Sequence, residues 1–177
     1  MSDSGAGATT LSRDDAAAGK GSSHKYLTFE LSGEEYGIEI LKVREIIGLL
    51  AITPVPKAPK YMRGVINLRG RVIPVVDLKV KFGMDKSEDT RETCIIVVDV
   101  SNESRESMLM GVQVDRVREV NDIREDDIDD APELGAEIDT EFILGMGKTG
   151  DRVSILLDID GVLTGRELEQ MRKAGAS

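Results

Sequence analysis

Apolar and polar positions alternate along most of this chain. YLTFEL at 26–31, EEYGIEI at 34–40, RVIPVVDL at 71–78, TCIIVVDV at 93–100, MLMGVQVDRVREV at 108–120 and RVSILLDI at 152–159 each carry a period of two or a short unbroken apolar run. A period of two sends successive side chains to opposite faces, so these segments predict strands, and many short strands between turn residues predict an all-β sandwich or barrel. One late segment follows another pattern. Thr164 and Glu167 have capping-box spacing, with a hydroxyl to accept from a first-turn amide and a carboxylate to reach back, and ELEQMRK follows, predicting a short C-terminal helix at about 165–174. Residues 1–24, rich in Ser, Gly, Ala and Asp, have little to bury and predict a disordered tail, leaving 25–172 as the folded domain.

The folded part repeats itself. GIEILKVREI at 37–46 aligns with GVQVDRVREV at 111–120, a shift of 74, with Leu41 against Asp115 as the one clear break. GVINLRGRVIPVVDL at 64–78 aligns with GMGKTGDRVSILLDI at 145–159, a shift of 81, keeping Gly64/Gly145, Arg71/Arg152 and Asp77/Asp158 identical. Two similar β subdomains are expected, roughly 25–90 and 91–163. Positions on which the copies agree, Arg71 and Arg152 among them, are expected to serve the shared architecture. Positions 66–70 disagree most: Ile-Asn-Leu-Arg-Gly faces Gly-Lys-Thr-Gly-Asp, so Arg69 belongs to something only the first copy does. VINLRGRVIPVVDL reads as a hairpin in which Gly70 supplies the positive φ of the turn.

Composition narrows the function. The chain has 177 residues, a net charge of −10, three Phe, three Tyr and no Trp. A net negative protein repels a polyanion, so nucleic acid is not an expected partner. One Cys (Cys94) and one His (His24) supply neither a His/Cys zinc site nor a Cys-His or Ser-His pair, so no metal, no cofactor and no enzyme activity are expected. GMGKTG at 145–150 satisfies a glycine-rich phosphate pattern, but it leads into strand sequence where a phosphate site needs a helix N-terminus. The start lacks a signal peptide and no run approaches a membrane span, so a cytoplasmic protein without direct membrane insertion is expected. Charge is unevenly placed: seven basic residues against Asp77 between Lys57 and Lys81, then ten acidic residues against one basic in 121–141. This asymmetry favours head-to-tail contact between copies of the fold.

EEYGIEILKVREI, RGVINLRGRVIPVVDL, GVQVDRVREV and TEFILGMGKTGDRVSILLDID, in this order and spacing, resemble the CheW family of bacterial chemotaxis coupling proteins over about 25–172. The resemblance implies two SH3-like five-stranded β-barrel subdomains around a shared hydrophobic core. It implies a non-catalytic adaptor that couples chemoreceptors, the methyl-accepting chemotaxis proteins, to the histidine kinase CheA. The implied partners are the chemoreceptor cytoplasmic tip and the CheA regulatory domain, with ring assembly among CheW-like domains, in receptor arrays at the inner membrane. It places receptor contacts in a groove between the barrels: Val43 and Glu45 on floor and rim, Asn67, Leu68, Arg69 and Gly70 on the turn, and Val112 and Val114 as apolar walls. A CheW-like scaffold of another receptor-kinase pathway, or a small-ligand-binding β-barrel, remain the alternatives.

Overall fold

The structure, a computed structural model, describes residues 22–85, 88–101, 106–130 and 142–176. Of the expected tail, 1–21 lie outside the described residues, as does the second half of the acidic stretch, 131–141, but Ser23 and His24 are paired as strand with Arg124 and Ile123, so the folded domain starts before residue 25. The described residues form eleven strands in chain order: β1 (Ser23–Leu31), β2 (Glu34–Glu39), β3 (Val43–Gly48), β4 (Met62–Leu68), β5 (Arg71–Asp77), β6 (Cys94–Ser101), β7 (Ser107–Val114), β8 (Arg116–Arg124), β9 (Ile128–Asp129), β10 (Ile143–Thr149) and β11 (Arg152–Leu157). Helix α1 (Leu78–Lys81) is a single turn and α2 (Gly165–Ala176) closes the chain.

The two sheets do not divide the chain at 25–90 and 91–163. One has the order β8-β1-β2-β11-β10-β9, the other β3-β6-β7-β5-β4. Each copy of the repeat therefore lends its first two strands to the other copy's sheet. The cause is two parallel pairings between copies, β2 with β11 (Gly37 opposite Leu156) and β7 with β5 (Gly111 opposite Val75). The repeated decapeptides, 37–46 and 111–120, are the places where the chain leaves one sheet and enters the other. This handover is needed twice, which explains why these segments repeat most faithfully.

The main core lies between the sheets. Phe29 and Ile38 from the first sheet and Val98 and Val112 from the second are all fully buried there, joined by Leu157 and Met171. Each sheet also keeps a smaller cluster of its own: Tyr26, Ile123 and Leu156 in the first, Ile66, Ile73, Val75, Ile95 and Val97 in the second. Four of the six aromatic residues form one row, Phe29, Tyr36, Phe82 and Phe142, with successive ring centroids 6.1, 6.1 and 4.7 Å apart. The conserved-in-repeat Asp77 and Asp158 both cap the turn after their strand: Asp77 Oδ1 accepts from the Lys79 amide at 3.0 Å and Asp158 Oδ1 from the Asp160 amide at 3.1 Å.

Helix α2 starts at the expected capping box. The Glu167 amide donates to Thr164 Oγ1 (3.1 Å) and the Thr164 amide to Glu167 Oε1 (2.8 Å). Leu168 and Met171 are buried, and Lys81 Nζ, over the Tyr61 ring, donates to both Glu167 oxygens at 2.8 and 3.0 Å. Burial pushes the Tyr61 hydroxyl up to about 12, with the Glu167 charge adding to it. Burial also works to raise the Glu167 carboxyl, but the Lys81 ammonium, the Thr164 amide and the Tyr61 hydroxyl outweigh it and hold it below its ordinary value of 4.5. A carboxyl lowered by folding stabilises the fold above its unfolded value, and that contribution fades as pH falls through the folded value. Glu167→Gln, which retains a capping amide, should therefore melt about 2–4 °C below the parent at pH 7, as an ion pair of this exposure suggests. Melts repeated toward pH 3 should show the gap closing; a gap that stays constant with pH would contradict the ion-pair role.

Candidate functional site

The β4–β5 hairpin is closed by Leu68 opposite Arg71, leaving a two-residue loop of Arg69 and Gly70. Both have positive φ, 52° and 87°. This is the signature of a type I′ turn, whose twist matches that of the strands it joins. Asn67 steadies it by accepting from the Gly70 amide at 2.9 Å. Sequence reasoning expected one residue with positive φ and the structure has two. An L-residue in this region costs about 1–2 kcal/mol, because its Cβ crowds the backbone. The second copy avoids that cost, since the residue aligned with Arg69 is Gly150, at φ 65°. The first copy thus holds an arginine where its twin uses the residue suited to the backbone.

Arg69 reaches across to β3, where its guanidinium donates to the Glu45 carboxylate. Its side chain is 70% exposed and that of Glu45 29%. The pair lies on the rim of a depression of about 500 Å³, floored by Leu68, Ile73, Val97 and Leu109. Every lining residue comes from β3 through β7, so this depression is the mouth of one barrel, whereas the expectation was a groove between two. A smaller recess of about 160 Å³ does sit at the crossover between sheets, bounded by Lys42, Leu144 and the 157–160 segment.

The expected contact residues divide into two groups. Val43 and Glu45 stand on β3, and Asn67, Leu68, Arg69 and Gly70 on the β4–β5 hairpin, at the two edges of the second sheet that the Arg69–Glu45 pair joins, with Val43 half-buried against the main core. Val112 and Val114 do not join them. Their exposures are 0% and 1%, they face Ile96 and Cys94 across β6–β7, and they belong to the core between the sheets, so they have no surface to offer a partner. Strand β7 is covered on both faces from Met110 onward, which is why its apolar positions read like a groove wall.

Sequence reasoning passed over Leu41. At 86% it is the most exposed large apolar side chain among the described residues, and it stands on the crossover just before Val43. Ile46, 44% exposed, follows on β3. The signal was present, since Leu41 against Asp115 is the one break in the first repeated block. Asp115, on the equivalent crossover, is instead engaged internally: it accepts from the Ser32 amide at 2.8 Å and pairs with Lys79 at 3.0 Å.

Arg71 and Arg152 also part company. Arg152 donates to the carboxylate of Glu35, which is only 9% exposed and also accepts from Ser154. Arg71, exposed, has no carboxylate partner among the described residues. The expectation that the two arginines do one architectural job is therefore overturned. Cys94 is half-buried at the start of β6, and burial pushes its thiol up, against a reactive thiolate. Among the described residues no cluster of His, Cys, Asp and Glu could hold a metal ion, and no helix is long and apolar enough to cross a membrane.

The chain is similar to known proteins over most of its length. The family model described as CheW-like domain matches residues 25–167. The chain is 36% identical over 163 residues to the chemotaxis protein CheW of Klebsiella aerogenes, covering 92% of this chain and 93% of that one. It is 34% identical over 143 residues to the chemotaxis protein CheW of Rhizobium meliloti, covering 81% and 89%. Among solved structures, the scaffolding protein TtCheW of Thermoanaerobacter tengcongensis superposes with a TM-score of 0.68 at 37% identity, covering 76% of this chain and 88% of that one.

Proposed function

The chain belongs to the CheW-like domain family, and on that premise we propose that it is a non-catalytic adaptor coupling chemoreceptors to the histidine kinase CheA. In finer terms, the receptor's cytoplasmic tip, a helical hairpin, docks along β3 and the β4–β5 turn, and the CheA regulatory domain binds elsewhere on the barrels. The observation that carries the receptor site is Arg69, an exposed guanidinium kept in a left-handed turn position at a conformational cost its twin avoids. Strain retained at one position points to a role there beyond folding.

The chemistry suits a helix laid on a barrel. Leu41 and Ile46 offer exposed apolar contacts, and half-buried Val43 lies between them in sequence. A helix on such a surface needs a few polar groups to fix its register, and the Arg69–Glu45 pair supplies a guanidinium and a carboxylate. Purified protein should co-sediment with receptor-bearing membranes and, separately, be retained by immobilised CheA. Leu41→Lys should weaken the first interaction about tenfold, as for loss of a central apolar anchor, while sparing the second. Failure to bind either partner would sink the adaptor reading; loss of both with Leu41→Lys would sink the assignment of this face to the receptor alone.

A further inference from the structure

The two barrel mouths are built on one plan, and one of them lacks a part. In the first sheet Glu30 and Glu35 face each other across β1–β2; Arg118 donates to Glu30 and also approaches Glu35 at 3.4 Å, while Arg152 and Ser154 complete the shell around Glu35. In the second sheet the aligned pair across β6–β7 is Asp99 and Leu109. Arg44, aligned with Arg118, donates to Asp99 at 2.6 Å. Arg71, aligned with Arg152, stands ready, but Leu109 replaces Glu35 and Ile73 replaces Ser154. The two arginines that meet at Glu35 in one barrel are thus present in the other with no counterpart of Glu35 among the described residues, Arg44 keeping only its pair with Asp99. Their mouth is also open, about 500 Å³ with an apolar floor, and its three arginines (44, 69 and 71) face two carboxylates, Glu45 and Asp99.

We propose that this mouth binds a carboxylate side chain of a partner protein between Arg71 and Arg44, in the role Glu35 plays inside the other barrel. The occupant is an Asp or Glu flanked by apolar residues: the carboxylate takes the charge-assisted bonds of the two guanidinium groups and its neighbours cover Ile73, Val97 and Leu109. A solvated arginine on a polar surface would not need this explanation. Here the cation stands over an apolar floor, at a position whose twin keeps its carboxylate buried.

The inference does not depend on the adaptor reading, and its test uses neither receptor nor kinase. The arginine Nε–Hε resonances of the full chain are followed by NMR while the peptide acetyl-Leu-Ile-Glu-Leu-Val-amide is added, and then its Gln counterpart. The Glu peptide should shift Arg71 and Arg44 saturably and bind at least about tenfold more tightly than the Gln peptide, the usual worth of a charge-assisted contact. Arg71→Gln should remove the preference. Leu109→Glu with Ile73→Ser, which installs the missing internal carboxylate and hydroxyl, should abolish binding while retaining the circular dichroism spectrum. No saturable shift of these resonances at millimolar peptide, equal binding of both peptides, or undiminished binding by Arg71→Gln would overturn it.

Discussion

Arg69→Glu is expected to abolish receptor-dependent control of the kinase while leaving the melting temperature within a few degrees of the parent. The side chain is 70% exposed, and its ion pair among the described residues is with Glu45. An ion pair this exposed contributes at most about 1 kcal/mol, or about 2–4 °C in a chain of this size. On the proposed docking a receptor helix would instead meet two carboxylates in place of a guanidinium, and like charges brought together in an interface cost several kcal/mol, a hundredfold or more in affinity. Arg69→Gly makes the separation sharper. Glycine removes the left-handed backbone cost at φ 52° but gains freedom in the unfolded chain, so stability should stay level or rise slightly. A stable protein with no receptor coupling assigns Arg69 to a partner; an unfolded one would make it structural.

The largest effect on stability is expected at Gly64. Its φ is +145°, and a Cβ added there would lie 2.2 Å from the Thr53 carbonyl oxygen and 2.7 Å from its carbon. That oxygen accepts from the Val65 amide, and the Thr53 amide donates to the Val65 carbonyl, both at 2.9 Å. Gly64→Ala therefore forces apart the bridge that ties residue 53 to β4, adding backbone strain to two strained hydrogen bonds. A loss of about 3–4 kcal/mol is expected, with melting lowered by about 10 °C. Gly70→Ala is the control, because nothing lies within 4 Å of its Cβ position and only the positive φ of 87° is penalised. Its loss should be about 1 kcal/mol. Equal losses at the two glycines, read by thermal melts, would contradict the role given to the Thr53 contact.

The sequence made the strands and the repeat readable, because alternation reports which face a side chain takes. It does not report which strand lies alongside. The exchange of β1–β2 and β6–β7 between sheets rests on β2–β11 and β7–β5, pairings between residues more than thirty apart, and no local pattern encodes them. The same limit produced the misplacement of Val112 and Val114. Apolar residues on a strand covered on both faces look like those lining a groove, and only the packing of Met110, Val112 and Val114 beneath the opposite sheet distinguishes them.

At the site, comparing the copies isolated Arg69 because residues 66–70 disagree. Its positive φ was hidden, since Arg-Gly resembles an ordinary turn in which glycine alone takes the left-handed position. Agreement between copies proved the weaker guide. Arg71 and Arg152 are identical, yet Arg152 pairs with Glu35 while Arg71 has no carboxylate partner among the described residues, because the difference lies in Leu109, on another strand and outside both aligned blocks. Leu41 was visible as the odd residue of the first block, but exposure of 86% on a crossover is a property of the folded chain.

The most direct measurement is CheA autophosphorylation in receptor-bearing membranes, with and without this protein, before and after addition of a receptor ligand. The adaptor reading predicts that ligand alters kinase activity only when receptor, CheA and this protein are all present, and that Arg69→Glu, equally stable, restores the uncoupled rate. Ligand control that persists without the protein, or that survives Arg69→Glu unchanged, would contradict it.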